Sequence, residues 1–177
     1  LSAGISLWMM VFQKDKAILV VATKQDTAKN LVTKVKFMYD NLPSWLQIGF
    51  TENNKLALRL KNGSQVKAVS AASDAGRSEA ISLLIIDEAA FIEENRIEEI
   101  WGSSQQTLST GGKAIVLSTP NGTGNFFHRM WNKAEEGVNG FTPIRLPWTV
   151  HPERNQEWRN KQDDELGLRM AAQECDC

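Results

Sequence analysis

The chain has 177 residues, 42% of them apolar and 23% charged, which suits one domain able to bury a real core and excludes a disordered or fibrous chain. A formal net charge of −1 carries no sign of a nucleic-acid binder, although a local basic surface can hide in a neutral total. The two cysteines, Cys175 and Cys177, form a C-x-C at the end of the chain. They are too close for an ordinary bridge, and with only two His elsewhere they make no four-ligand zinc site. They read as small apolar residues at a core edge, and nothing calls for an oxidising compartment.

In chain order, the apolar run Ile5 to Phe12 predicts a buried helix over roughly Ser2 to Phe12. It is too short to span a bilayer and lacks the flanks of a signal peptide. With no Met at Leu1 and no polar tail at Cys177, we expect a fragment cut at both ends. Lys14-Asp15-Lys16 reads as a turn. Ala17 to Ala22 is a continuous apolar run, expected as a strand buried on both faces. Asp26 or Thr27 can cap the next helix, whose inner face carries Leu31, Val32, Val35 and Met38, and Pro43 ends it. From 55 to 69 the period changes to two. Leu56, Leu58 and Leu60 alternate with Ala57 and Arg59, then Asn62-Gly63 precedes Val66 to Val69, which predicts a hairpin forming an antiparallel insertion with one face exposed. Ser70 to Ser78 is a small-residue loop containing Arg77.

The organising stretch follows. Leu83-Leu84-Ile85-Ile86 runs directly into Asp87-Glu88. Four bulky apolar residues without alternation predict a strand covered on both faces, and the two carboxylates stand at its carboxyl end, where open α/β sheets place ligands. Two such carboxylates are costly unless a cation or substrate uses them. In an ATPase the Asp holds Mg²⁺ and the Glu orients the attacking water. The alternative is that both cap the following helix.

Beyond it, Ile97, Ile100 and Trp101 mark an amphipathic helix with Glu93, Glu94, Glu98 and Glu99 outside. Gly111-Gly112 breaks the chain before a third expected buried strand, Ala114 to Leu117, which ends in Ser118-Thr119-Pro120-Asn121-Gly122. Ser118 and Thr119 can bond the same water or phosphate as the acidic pair, or simply end a strand in a turn. Phe126, Phe127, Met130, Trp131 and Ala134 form a helix core face stopped by Gly137. Phe141 to Leu146 can be a further strand. The remainder reads as helical with Trp158, Leu166 and Met170 inward. Strands and helices in alternation predict an α/β three-layer sandwich with a mainly parallel sheet.

On these residues the chain resembles the ATPase domain of the large terminase subunit of tailed bacteriophages. Leu83 to Glu88 is similar to that family's Walker B motif, Ala114 to Gly122 to its coupling motif, and Phe126 to Trp131 to the helix after it. The tail Leu166 to Cys177 resembles the end of that domain. The resemblance implies a P-loop NTPase fold in which Asp87 serves Mg²⁺, Glu88 is the catalytic base, and Ser118 and Thr119 couple hydrolysis to movement. It places Arg77 as a trans-acting arginine, although the family's Arg-Gly is Arg77-Ser78 here. ATP and Mg²⁺ are the implied cofactors. Double-stranded viral DNA, the portal protein, the small terminase subunit and a homo-oligomeric ring on the procapsid are the implied partners, in the host cytoplasm and without a membrane. No Gly-x-x-x-x-Gly-Lys-Ser/Thr loop occurs in the chain, and the resemblance places it upstream of Leu1, with a nuclease domain beyond Cys177. Residues 147 to 177 would begin a small helical subdomain. Two other readings remain: another P-loop motor such as a helicase, and a non-catalytic α/β assembly module.

Overall fold

The computed structural model describes residues 1–72, 80–109 and 111–176. They fall into two compact units, Leu1–Leu117 and Ser118–Cys177. In the first the chain runs α1 (Ser2–Phe12), β1 (Ala17–Ala22), α2 (Gln25–Asp40), β2 (Phe50–Asn53), β3 (Ala57–Leu60), β4 (Gln65–Ser70), β5 (Leu83–Ile86), α3 (Glu94–Ser109) and β6 (Lys113–Val116). The strands form one sheet in the order β2-β3-β4-β1-β5-β6. β4, β1, β5 and β6 are mutually parallel, and β3 is antiparallel to β2 and β4. The mainly parallel α/β sheet expected from the alternation of elements is therefore present.

Sequence period explains strand position. The unbroken apolar runs of β1 and β5 take the centre, where layers on both faces bury Ile18 to Ala22 and all of Leu83 to Ile86. β3 and β4 alternate, burying Leu58, Leu60, Val66 and Ala68 while exposing Arg59 and Lys67. One core layer joins these four to Ile18, Val20, Leu83 and Ile85 of the centre and to α1 and α2 through Met10, Leu31, Val32 and Val35. The connection from β1 through α2 leads to one side of β1. That from β5 through α3 leads to the other side of β5. Right-handed crossovers in opposite directions put α2 and α3 on opposite faces, which makes three layers.

Several expectations need correction. The antiparallel hairpin is present as β3 and β4, and β4 also pairs in parallel with β1 along its whole length, from Ala17 beside Gln65 to Ala22 beside Ser70. β6 is half-buried rather than buried, since it is the edge strand. The residue capping α2 is Lys24, with no side-chain bond, and Asp26 lies in the first turn instead. Met38 is exposed and Tyr39 takes the inward position, its ring tilted against Phe50 at 4.4 Å between centroids.

The second unit contains α4 (Phe126–Glu135), α5 (Gln156–Leu166) and α6 (Leu168–Ala171). Phe141 to Leu146 is not a strand. Pro143 lacks the N–H a ladder needs, and the Asn139 side chain organises the segment, accepting from Phe141 N–H and donating to the Met130 carbonyl. Leu166 and Met170 are exposed, 46% and 50%, and Trp158 is half-buried. Gly167, at φ +78°, breaks the helix and turns Ala171 and Cys175 inward. Among the described residues no helix is long and apolar enough to cross a membrane.

Candidate functional site

Four parallel strands bring their carboxyl ends to one rim of the first unit. Register places Ala22 beside Ser70, Val21 beside Ile86, and Ile86 beside Val116. The next residues outward are Thr23, Ala71, Asp87 and Leu117. The ladder extends through them: Ala71 N–H donates to Ala22 C=O at 2.9 Å, Asp87 N–H to Val21 C=O at 2.8 Å, and Leu117 N–H to Ile86 C=O at 3.0 Å. The backbone of Asp87 is thus held by β1, at the centre of the rim, while its side chain is half-buried.

Glu88 ends the strand abruptly. Its backbone is left-handed, at φ 55° and ψ 42°, a conformation costing a non-glycine residue about 1–2 kcal/mol. Three bonds hold it there. Glu88 N–H donates to Asp87 Oδ1 at 3.1 Å, Ala89 N–H to Leu117 C=O at 3.1 Å, and Phe91 N–H to Glu88 C=O at 2.9 Å, closing the single turn Ala89–Phe91. Strain at one half-buried carboxylate beside another is the kind of outlier that clusters at functional sites.

Burial pushes the Asp87 carboxyl above the usual carboxylate range, against the smaller opposing pull of the Glu88 N–H and the Lys34 charge. A hard cation would reverse that balance, and oxygen donors on one carboxylate plus phosphate and water suit Mg²⁺. The helix-capping alternative meets a different geometry. α3 starts six residues beyond Glu88, at Glu94, the Glu93 carbonyl accepts from Arg96 and Ile97 N–H, and Glu88 instead opens the separate turn Ala89–Phe91, to which its side chain makes no cap bond. Among the described residues no three His, Cys, Asp or Glu side chains gather as a metal cluster.

The remaining expected site residues are placed separately. Thr23 is half-buried, directly after β1. Ser118 and Thr119, both half-buried, open the second unit. Arg77 lies outside the described residues. Beyond Thr119, Gly122 and Gly124 adopt φ +71° and +85°, and Asn125 fixes the turn they make. Its Oδ1 accepts from His128 N–H at 3.0 Å, and its Nδ2 donates to Asn121 C=O at 2.9 Å. Arg129 Nη1 donates to Gly124 C=O at 2.7 Å. Sequence reading passed over Asn125, although an Asn directly before an apolar helical run is an N-cap signal.

The family model "Terminase large subunit, T4likevirus-type, N-terminal" matches residues 2–168. The chain belongs to the large-terminase family. Solved structures agree in fold. The large terminase ATPase domain of Thermus phage P74-26 superposes with a TM-score of 0.70 at 22% identity, covering 98% of this chain and 80% of that one. The HK97 bacteriophage large terminase gives 0.72 at 18%, covering 97% and 41%. A large terminase of a thermophilic bacteriophage, solved in complex with ADP, gives 0.68 at 12%, covering 92% and 40%. The terminase chain described here therefore spans about two-fifths of the length of the latter two.

Proposed function

We propose that this chain carries the Walker B and coupling motifs of the ATP-hydrolysing domain of a motor that moves double-stranded viral DNA into a procapsid, the intact protein and not this chain alone being the active ATPase. The observation that carries the reading is the pair Asp87 and Glu88. Both are half-buried at the carboxyl end of the central strand β5 of a large-terminase domain, and Glu88 is strained. In this reading Leu83–Glu88 is the Walker B motif. Asp87 would hold Mg²⁺, usually through water, and its carboxyl, which ionises unwillingly in the protein alone, suits a cation neighbour. Mg²⁺ held by Asp87 would supply charge neutralisation for the transferring phosphate oxygens. Glu88 accepts a hydrogen bond from the attacking water and removes its proton. Ser118 and Thr119 couple hydrolysis to movement. Arg77 completes a neighbouring subunit's site in a homo-oligomeric ring, where its planar fork can hold two phosphate oxygens. The portal protein and the small terminase subunit are the proposed docking partners, in the host cytoplasm.

The decisive experiment is ATP turnover by the intact protein. Glu88→Gln keeps nucleotide binding and lowers turnover at least ~10²-fold, the scale of a lost general base. Asp87→Asn also weakens Mg²⁺-ATP binding. Equal turnover in wild type and Glu88→Gln removes the catalytic reading. For Arg77 the test is mixing Arg77→Ala with Glu88→Gln subunits. Partial recovery in mixed rings supports action in trans, and none refutes it.

A further inference from the structure

Charge is segregated along the chain. Residues 1–72 carry ten Lys and Arg against four Asp and Glu, whereas residues 73–177 carry ten against seventeen. The near-neutral total hides a basic half, and a share of it lies on one sheet face. β2, β3 and β4 form a wing to one side of β1. One face of the wing is packed into the α1 and α2 core through Leu58, Leu60, Val66 and Ala68. The other carries Ala57, Arg59, Gln65 and Lys67, with Arg59 opposite Gln65 and Ala57 opposite Lys67 across the β3–β4 ladder. Arg59 and Lys67 are exposed, while Ala57 and Gln65 are half-buried. Exposed Lys55 and Lys61 flank β3, and Glu52, opposite Arg59 on β2, is the one acid within residues 50–70.

We propose that this open face of the wing is a contact surface for the phosphate backbone of duplex DNA, with Arg59 and Lys67 at its centre. The inference rests on the DNA-motor reading above. Its chemistry argues for a polyanion over a protein. The centre of a protein–protein interface is rich in aromatic side chains and depleted of Lys and Ala, whereas this face has no aromatic there and carries Lys67 and Ala57 beside Arg59 and Gln65. Phosphate contacts need charged and polar side chains on a rigid support, and carry no sequence information. Two cations on adjacent strands of a sheet, with small or flat side chains between them, let a backbone approach without desolvating an apolar patch.

The test is binding of a labelled random-sequence DNA duplex by the intact protein, followed by fluorescence anisotropy from about 50 to 200 mM salt. Each lost phosphate contact lowers the slope of log affinity against log salt by ~0.9, so the double variant Arg59→Gln/Lys67→Gln loses about 2 from the slope. Glu52→Gln, removing the acid from the same face, strengthens binding, a change that a purely structural role would not produce. Lys133→Gln, an exposed lysine of the second unit, leaves the slope lowered by no more than a single peripheral charge. Basal ATP turnover of the double variant stays at the wild-type level, so failure here is distinct from failure of Glu88→Gln to lose turnover. An unchanged slope in the double variant overturns the proposal. So does a double variant that binds DNA normally but no longer self-associates in sedimentation, which would make the face a contact between copies of the chain.

Discussion

The backbone N–H of Ala89 donates to the carbonyl of Leu117 at 3.1 Å. This bond joins the turn that holds Glu88 to the last residue before Ser118, so the strained acidic turn and the exit of β6 share one hydrogen bond. The turn that follows Glu88 is thereby tied to the residue directly after β6. The left-handed conformation of Glu88 is therefore worth testing apart from its carboxylate.

Glu88→Ala and Glu88→Gly remove the same carboxylate but treat the backbone differently. Alanine keeps the penalty of a Cβ at φ 55°, and glycine relieves it. Glycine also gains freedom in the unfolded chain, which opposes the relief by about 0.4–1 kcal/mol. The net expectation is that Glu88→Gly melts at or above the temperature of Glu88→Ala, with turnover lost in both. Thermal denaturation decides, and a clearly less stable glycine variant would mean that Glu88 leaves the left-handed region in solution.

Asp87 gives a pH signature. Burial raises its carboxyl in the folded state, so the folded protein binds a proton more readily than the unfolded chain. Stability from this group is therefore greatest below the ordinary carboxylate range and is lost as pH rises through the raised value. Asp87→Asn should melt higher than wild type at neutral pH, with the difference vanishing in acid. A saturating divalent cation should narrow the gap at neutral pH, by stabilising only the carboxylate form. A variant that melts lower than wild type at neutral pH would show that the carboxylate stabilises the fold instead.

Much of the sheet was legible because period reports burial. The unbroken runs Ala17–Ala22 and Leu83–Ile86 read as strands covered on both faces, and the alternation around Leu58 and Val66 as a strand pair with one face exposed. What period cannot report is the neighbour. Nothing in Gln65–Ser70 says that the second strand of the antiparallel hairpin also pairs in parallel with β1, and Ala114–Leu117 looks as apolar as β5 although it is an edge. The acidic pair was legible from its position after a buried run. The left-handed turn at Glu88 was not, because the glycine that usually marks such a backbone is absent. Arg159 was missed for a related reason. A charged residue amid polar neighbours gives no hint of burial, yet it is only 8% exposed.

Gly63 tests a contact that the Asn-Gly signal understates. Asn62 Nδ2 donates to the carbonyls of Met10 at 2.8 Å and Gln13 at 3.0 Å, so the hairpin turn also closes the end of α1. Gly63 stands at φ +85°, and a Cβ there would meet Asp15 Oδ1 at 2.0 Å. Gly63→Ala should destabilise by at least ~1–2 kcal/mol from the backbone alone. Adding Asp15→Gly should recover part of the loss by clearing the clash. Urea denaturation of the single and double variants measures both, and strict additivity would rule out the contact.

The last expectation concerns Arg159, which anchors the second unit. Its Nε and Nη2 each donate to a carboxylate oxygen of Asp176 at 2.8 Å, and Nη1 also reaches Asp163. Arg145 donates to the Asp176 carbonyl at 2.7 Å, so two arginines pin the turn 172–176 against α5 and the preceding loop. The paired guanidinium holds the Asp176 carboxyl below its usual range. Its contribution is therefore complete above the ordinary carboxylate value and is lost as pH falls through the depressed one. Arg159→Lys keeps the charge but loses the fork that grips both oxygens. Amide hydrogen exchange in residues 172–176 should accelerate in Arg159→Lys at neutral pH. A carboxylate-free variant, Asp176→Asn, should show the same acceleration at neutral pH, and combining it with Arg159→Lys should add little, because both remove one interaction. Full additivity of the two would show that Arg159 holds the turn by packing rather than through Asp176.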